Sequence, residues 1–172
     1  MWVLSGDVVL TTSPEAPFMI PAPARTAACD RQALAWPLMT CLEFHALPSA
    51  VACARAHARS MAREWGLPAL ADTAELLTSE LMTNSVQASE RLKRRADLAV
   101  VPVVRLRLLS DQVSLVIRVW DGNEEMPVRK DAGVDEESGR GLMLVESLAK
   151  EWGTYYKANG KVVWAMITSA DP

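Results

Sequence analysis

The first chemically suggestive segment is a pair of glycines at the start of an apolar stretch, Gly139-Arg140-Gly141-Leu142. Because glycine has no Cβ, backbone N–H groups at Gly139 and Gly141 can approach an anion closely. The apolar stretch that follows is typical of a helix, whose first N–H groups are unpaired and attract phosphate. Arg140 adds a fixed positive charge. The segment therefore predicts a phosphate site, although glycines before a helix also serve as plain turns.

A second candidate pair, Glu80 and Asn84, lies in a stretch with apolar residues at helical spacing and no glycine or proline inside. Residues four apart fall on one face of a helix, and this face also carries Leu77, Leu81 and Ala88, so it should be packed. A buried carboxylate without a partner is costly. The pair therefore either has internal partners, lines a ligand cavity, or lies at the edge of the packed face with its polar tips in water.

The third candidate is Asp121, which ends a β-branched stretch and precedes Gly122. The alternation of the residues before it predicts a strand, and the Asp-Gly pair predicts a turn. An ionised carboxylate only accepts hydrogen bonds, so Asp121 can bind an amino group such as the exocyclic amine of adenine. The alternative is an ordinary turn aspartate.

In this order along the chain, three short motifs resemble those of the ATPase family that includes gyrase, the heat-shock chaperone of ninety kilodaltons, histidine kinases and the mismatch-repair ATPase (the GHKL superfamily). The motifs are Glu80-Leu81-Met82-Thr83-Asn84, Val119-Trp120-Asp121 and Gly139-Arg140-Gly141-Leu142. Within this family the chain most resembles the stand-alone anti-sigma-factor serine kinases of bacterial sporulation and stress regulation. The resemblance extends from about Leu42 to Thr168.

The resemblance implies a role for each matching residue. Asn84 would bind Mg²⁺ through its amide oxygen, a ligand type that this cation prefers. Glu80 would be the general base that accepts the proton of a substrate serine, and Asp121 would bind the adenine amine of ATP. The phosphate contacts would come from the third motif, that is from Gly139, Arg140, Gly141 and Leu142.

The resemblance also implies partners. A kinase of this kind sequesters a sigma factor and phosphorylates an anti-sigma-factor antagonist protein, and homodimerisation is expected from the family likeness alone. Two departures favour an alternative, a catalytically weak or inactive module that binds proteins in a nucleotide-dependent way. Many relatives have a threonine where this chain has Val162, and its hydroxyl would support Asp121 directly or through water; the residues that follow Asp121 also differ from the usual pattern. A scaffold that has lost nucleotide is a third possibility.

Composition limits the other classes of function. The chain has 172 residues, is 50% hydrophobic and carries a net charge of -3, which favours one folded domain and argues against direct binding of nucleic acid. Three cysteines without metal spacing are typical of free thiols in a reducing compartment. No apolar run approaches the roughly 20 residues of a membrane span, so we expect a cytoplasmic protein without membrane contact.

The pattern of elements predicts the fold class. Residues 1–37 are rich in Pro and Ala and are expected to form a flexible extension, although Val8, Val9 and Leu10 permit a strand within residues 1–10, and residues 38–172 are expected to form the ATPase domain. In that domain we expect a two-layer α/β sandwich, with a mixed, mainly antiparallel sheet covered on one face by helices. The predicted elements are strands at 39–46, 103–109, 113–120, 153–157 and 161–168, and helices at 49–65, 69–92 and 142–150.

Overall fold

The computed structural model describes residues 8–9, 36–96, 99–125, 140–157 and 159–169. These residues form six strands and three α-helices, with a short 3₁₀ turn at Pro68–Leu70 before the second helix. The strands are β1 (Val8–Val9), β2 (Leu38–His45), β3 (Val103–Ser110), β4 (Ser114–Asp121), β5 (Glu151–Tyr156) and β6 (Lys161–Thr168). The helices are α1 (Pro48–Glu64), α2 (Ala71–Arg95) and α3 (Arg140–Leu148).

The strands form one sheet in the order β1-β2-β3-β4-β6-β5, and every described pair is antiparallel. The hairpin between β3 and β4 turns at Asp111, whose Oδ1 accepts from the backbone N–H groups of Val113 and Ser114 at 2.9 and 2.6 Å. The hairpin between β5 and β6 turns at Asn159, which takes a left-handed φ of 57°. Asparagine tolerates this conformation better than most residues, so the Asn-Gly pair suits this turn.

The two faces of the sheet differ because successive side chains of a strand point in opposite directions. One face packs against the helices and supplies core residues such as Leu106, Ile117 and Val163, all buried. The other face carries Arg105, whose guanidinium lies over the ring of Trp120 at 4.8 Å from the ring centre. The core therefore lies between the sheet and a single layer of helices.

The helices pack closely because α1 presents small side chains. Every fourth residue of α1 on its inward side is a buried alanine, namely Ala50, Ala54, Ala58 and Ala62. Small residues at this spacing leave a smooth stripe against which α2 can lie. Ion pairs of Arg59 with Glu75, at 2.5 Å, and with Asp72, at 3.0 Å, join the two helices at the surface. Gly66, at φ 81°, follows α1 in the left-handed conformation that commonly ends a helix.

The fold class predicted from the sequence is confirmed, since the sheet is covered on one face by helices and its described pairs are all antiparallel. Val8–Val9 pairs with β2, within the segment predicted to be a flexible extension, while residues 1–7 and 10–35 lie outside the described residues. The domain boundary at residue 38 stays a prediction. Within the described part of the chain, no helix combines the length and the apolar character that a bilayer span requires.

Candidate functional site

Glu80 and Asn84 lie together against the first turn of α3. A Cβ atom built on Gly141 would lie 2.5 Å from Oε2 of Glu80 and 3.6 Å from Nδ2 of Asn84. Both side chains are half-buried and lie on the one face of α2 that their spacing of four predicted. The absence of a side chain at Gly141 is therefore what lets the carboxylate and the amide of α2 approach the backbone of α3.

The packing of α2 fixes this contact. Leu77, Leu81 and Met82 are buried in the core and hold the helix against the sheet, so the turn that carries Glu80 faces α3. The first turn of a helix has unpaired N–H groups and a positive partial charge, which stabilise a neighbouring carboxylate or phosphate. Gly141 of the predicted phosphate segment and the Glu-Asn pair thus lie at one place in the structure.

The third motif is described only in part. Gly139 lies outside the described residues, and for Arg140 the structure describes the backbone, as the first residue of α3, but not the side chain. Gly141 is buried and Leu142 is half-buried. Of the four residues predicted to contact phosphate, Gly141 is therefore the one that the structure brings to Glu80 and Asn84.

Asp121 ends β4 on the face of the sheet that packs against the helices, and its side chain is only 1% exposed. Its Oδ1 accepts from Nζ of Lys161 at 2.7 Å and from the backbone N–H of Asn123 at 3.0 Å. Its Oδ2 is buried and has no hydrogen-bond partner among the described residues. Because buried acceptors are nearly always paired, Oδ2 is the atom where a donor from a ligand would fit.

Asn123 joins the end of β4 to α2. Its Nδ2 donates to the carbonyl of Ala88 at 3.2 Å, and its Oδ1 accepts from the backbone N–H of Glu125 at 2.9 Å. Ala88 is one helical turn after Asn84, a rise of about 6 Å. The Asp121 end and the Glu80 end therefore lie along one helix, so a ligand that spans base and phosphates can contact both.

The end of α2 also holds the residues after Asn123. Arg95 forms an ion pair with Glu125, and the hydrogen bond from Arg95 lowers the pKa of this exposed carboxyl. Leu92 lies near Gly122, where an added Cβ would be 3.9 Å from its Cδ2. The residues that follow Asp121 differ in sequence from the usual pattern of the family. They contact α2 at Ala88, Leu92 and Arg95.

The sequence-based interpretation of Val162 is wrong. It supposed that a threonine at this position would support Asp121, but Val162 pairs with Trp120 and lies on the face of the sheet opposite the described helices, where it lines a cavity with Arg105 and Tyr155. The residue that pairs with Asp121 across β4 and β6 is Lys161. Strand alternation separates the two neighbours onto opposite faces, so the side chain of Val162 cannot reach the carboxylate.

Lys161 and Asn123 are the site residues that the sequence reasoning missed. Alternation along β6 does not mark Lys161 in the sequence, because both faces of the strand are apolar; in the structure it lies on the same face as the buried residues Val163, Ala165 and Ile167. A lysine on the buried face of a strand is rare unless it has an ionic partner. The contact between Asn123 and Ala88 joins positions 35 residues apart, and no local pattern indicates it.

The residues fit a nucleotide at two points. The buried, unpaired Oδ2 of Asp121 can accept from the amine of a base, and the close approach at Gly141 leaves backbone N–H groups beside Asn84 for phosphate.

The comparison with protein families agrees with this geometry. Residues 44–167 match the model of the histidine kinase-like ATPase domain, HATPase_c_2, which covers most of the chain and includes Glu80, Asn84, Asp121 and Gly141. A search among curated proteins found no match. The elements matched begin within β2 and end within β6, so the match takes in both ends of the candidate site. The chain therefore belongs to the family of histidine kinase-like ATPase domains.

Proposed function

We propose that this domain binds ATP between α2 and α3, with the base at Asp121 and the phosphates at Gly141. Domains of this family generally bind ATP. The observation that carries the proposal is the buried Oδ2 of Asp121, which has no partner among the residues described and lies at the base end of a site that Glu80, Asn84 and Gly141 complete. The exocyclic amine of adenine is a donor that would satisfy this oxygen.

Asn84 would hold Mg²⁺ together with oxygens of the ATP phosphates, and the ion would neutralise charge that develops on the transferred phosphoryl group. The amide of Asn84 lies beside Gly141, at the helix start where phosphate is expected. A single neutral protein ligand suits Mg²⁺, which usually keeps several waters and takes its remaining ligands from the nucleotide.

We further propose that the domain is a protein serine kinase. In the reaction, the serine oxygen forms a bond to the γ-phosphorus of ATP, the bond from this phosphorus to the β,γ-bridging oxygen breaks, and ADP leaves. The carboxylate of Glu80 accepts the proton of the serine hydroxyl. Its position against the first turn of α3 supports this role, because a base there is next to the expected phosphates.

The partners we propose are those of the anti-sigma-factor kinases, that is a sigma factor that the domain sequesters and an antagonist protein whose serine it phosphorylates. Support for this comes from the three motifs together with the retained Glu80 and Asn84. A second candidate function is a module that binds partners in a nucleotide-dependent way without turnover. It is favoured by the residues that follow Asp121, which depart from the usual pattern and contact α2 through Asn123 and Glu125.

Transfer of labelled phosphate from ATP to a protein distinguishes the kinase from the binding module without turnover. The protein is incubated with ATP labelled at the γ-phosphate and Mg²⁺ in an extract of the source cells, alongside the Glu80→Gln variant. The kinase proposal predicts label on a protein that the variant fails to label, on a serine identified by mass spectrometry. Equal labelling by both proteins, or none by either while ATP still binds, would leave the second function.

A further inference from the structure

Lys161 is a buried cation at the base end of the site. Its side chain is 4% exposed, and Nζ donates to Oδ1 of Asp121 at 2.7 Å and to the carbonyl of Asn123 at 2.9 Å. A buried ammonium without such partners would be strongly unfavourable. Lys161 and Asp121 therefore hold each other in one arrangement.

This arrangement leaves the two oxygens of Asp121 unequal. Oδ1 receives two donors, the ammonium of Lys161 and the backbone N–H of Asn123. Oδ2 is equally buried but receives none from the residues described. Because two donors hold Oδ1, the carboxylate cannot rotate to bring Oδ2 to the same donors. Oδ2 therefore stays in place as a hydrogen-bond acceptor.

A purely structural ion pair explains this geometry less well. Buried ion pairs contribute little to stability compared with apolar residues of the same volume, and structural pairs are expected to have both carboxylate oxygens satisfied. An oxygen left unsatisfied inside the protein costs free energy in the free state that a ligand donor would recover.

We propose that Lys161 is a specificity-determining residue that makes the base site select purines with an amino group at position 6 over purines with an oxygen there; the inference rests on the proposed ATP site. The ammonium and the backbone N–H of Asn123 fix the orientation of Asp121, so Oδ2 accepts from the 6-amino group of adenine. A 6-oxo purine would instead place its own acceptor against this oxygen, which is repulsive.

Removal of the ammonium relaxes this selection. In Lys161→Met, Asp121 loses the ammonium that holds Oδ1, so its carboxylate can turn away from the base. Both the contact with a 6-amino group and the repulsion of a 6-oxo group then weaken. The Lys161→Met variant should therefore bind ATP more weakly than the wild-type protein does. Its affinity for inosine triphosphate should fall less or stay the same.

Calorimetric titration with ATP and with inosine triphosphate, both with Mg²⁺, tests the proposal on the 172-residue chain. We expect the wild-type protein to prefer ATP and Lys161→Met to lower the ratio of the two affinities about tenfold. Lys161→Gln keeps a donor of similar length without the charge, so its ratio should fall between the two. If circular dichroism shows that Lys161→Met does not fold, Lys161→Gln serves as the test variant in its place.

Equal weakening of both nucleotides in the variants would show that Lys161 acts only on structure and would overturn the inference while leaving the ATP site in place. A wild-type protein that binds neither nucleotide would overturn the proposed function and the inference with it. A wild-type protein that binds both equally would overturn the inference alone.

Discussion

The two ends of the candidate site are built differently. At the phosphate end, Glu80 and Asn84 of α2 meet a glycine of α3, and the residue types are those that the resembling kinases use. At the base end, two neighbouring strands bring Asp121 and Lys161 into a buried ion pair, which the motif comparison did not anticipate. The residues of the proposed phosphoryl transfer are therefore those that the family resemblance indicated, and the features particular to this chain lie at the proposed base end.

The phosphate end should show the largest effect. Glu80→Gln keeps the shape of the side chain and removes its basic oxygen, so phosphotransfer should fall by about 10²- to 10⁴-fold while ATP affinity stays within about threefold. The rate is measured with saturating ATP, and binding by calorimetry. Full activity in this variant would show that Glu80 is not the base.

At the base end, a substitution should change the free energy of unfolding as well as the affinity for ATP. Asp121→Ala leaves the ammonium of Lys161 buried and unpaired, and we expect a loss of about 3–5 kcal/mol in the free energy of unfolding, measured by denaturant titration. The same variant should bind ATP at least about tenfold more weakly.

The double variant Asp121→Ala/Lys161→Met separates these two effects. With both charges removed, most of the stability should return, but the lost ATP affinity should not. Recovery of binding together with stability would show that Asp121 serves only the fold and would remove the difference between the two ends.

Gly141 provides a smaller test of the phosphate end. An added Cβ would lie 2.5 Å from the Glu80 carboxylate, which is the end of a flexible side chain and can move away at little cost in stability. Gly141→Ala should therefore lower phosphotransfer by about tenfold with a change below about 1 kcal/mol in stability. Unchanged phosphotransfer at wild-type stability would mean that the contact with Glu80 is irrelevant to catalysis.

The smallest expected effect is at Val162, the neighbour of Lys161 on the opposite face of the sheet. Val162→Thr adds the hydroxyl that many relatives have at this position, but it adds it on the face of the sheet that carries Trp120. ATP affinity should change by less than about twofold, since this side chain is separated from Asp121 by the sheet. An increase in affinity would show that the threonine does support the aspartate.

The fold, and the placement of Glu80 and Asn84 on one face of α2, were largely predictable from the sequence. Helical spacing placed Glu80 and Asn84 on one face, and the Asn159-Gly160 turn marked the hairpin between β5 and β6, because these features depend on local geometry.

The base end was not predictable in the same way. Val162, Trp164 and Met166 make the outer face of β6 as apolar as its inner face, so alternation did not reveal that Lys161 points inward. The bond from Asn123 to Ala88 depends on the packing of α2 against the sheet, which motif spacing does not encode.

The central claim is that α2, α3 and the end of β4 form an ATP site, and calorimetric titration of the wild-type protein with ATP, with and without Mg²⁺, tests it most directly. The account predicts binding that Mg²⁺ strengthens, with a Kd tighter than about 1 mM, which corresponds to more than about 4 kcal/mol of binding free energy. Asn84→Ala should reduce this dependence on Mg²⁺. No heat of binding at millimolar ATP under either condition would contradict the account and leave a protein-binding domain with the ATPase fold.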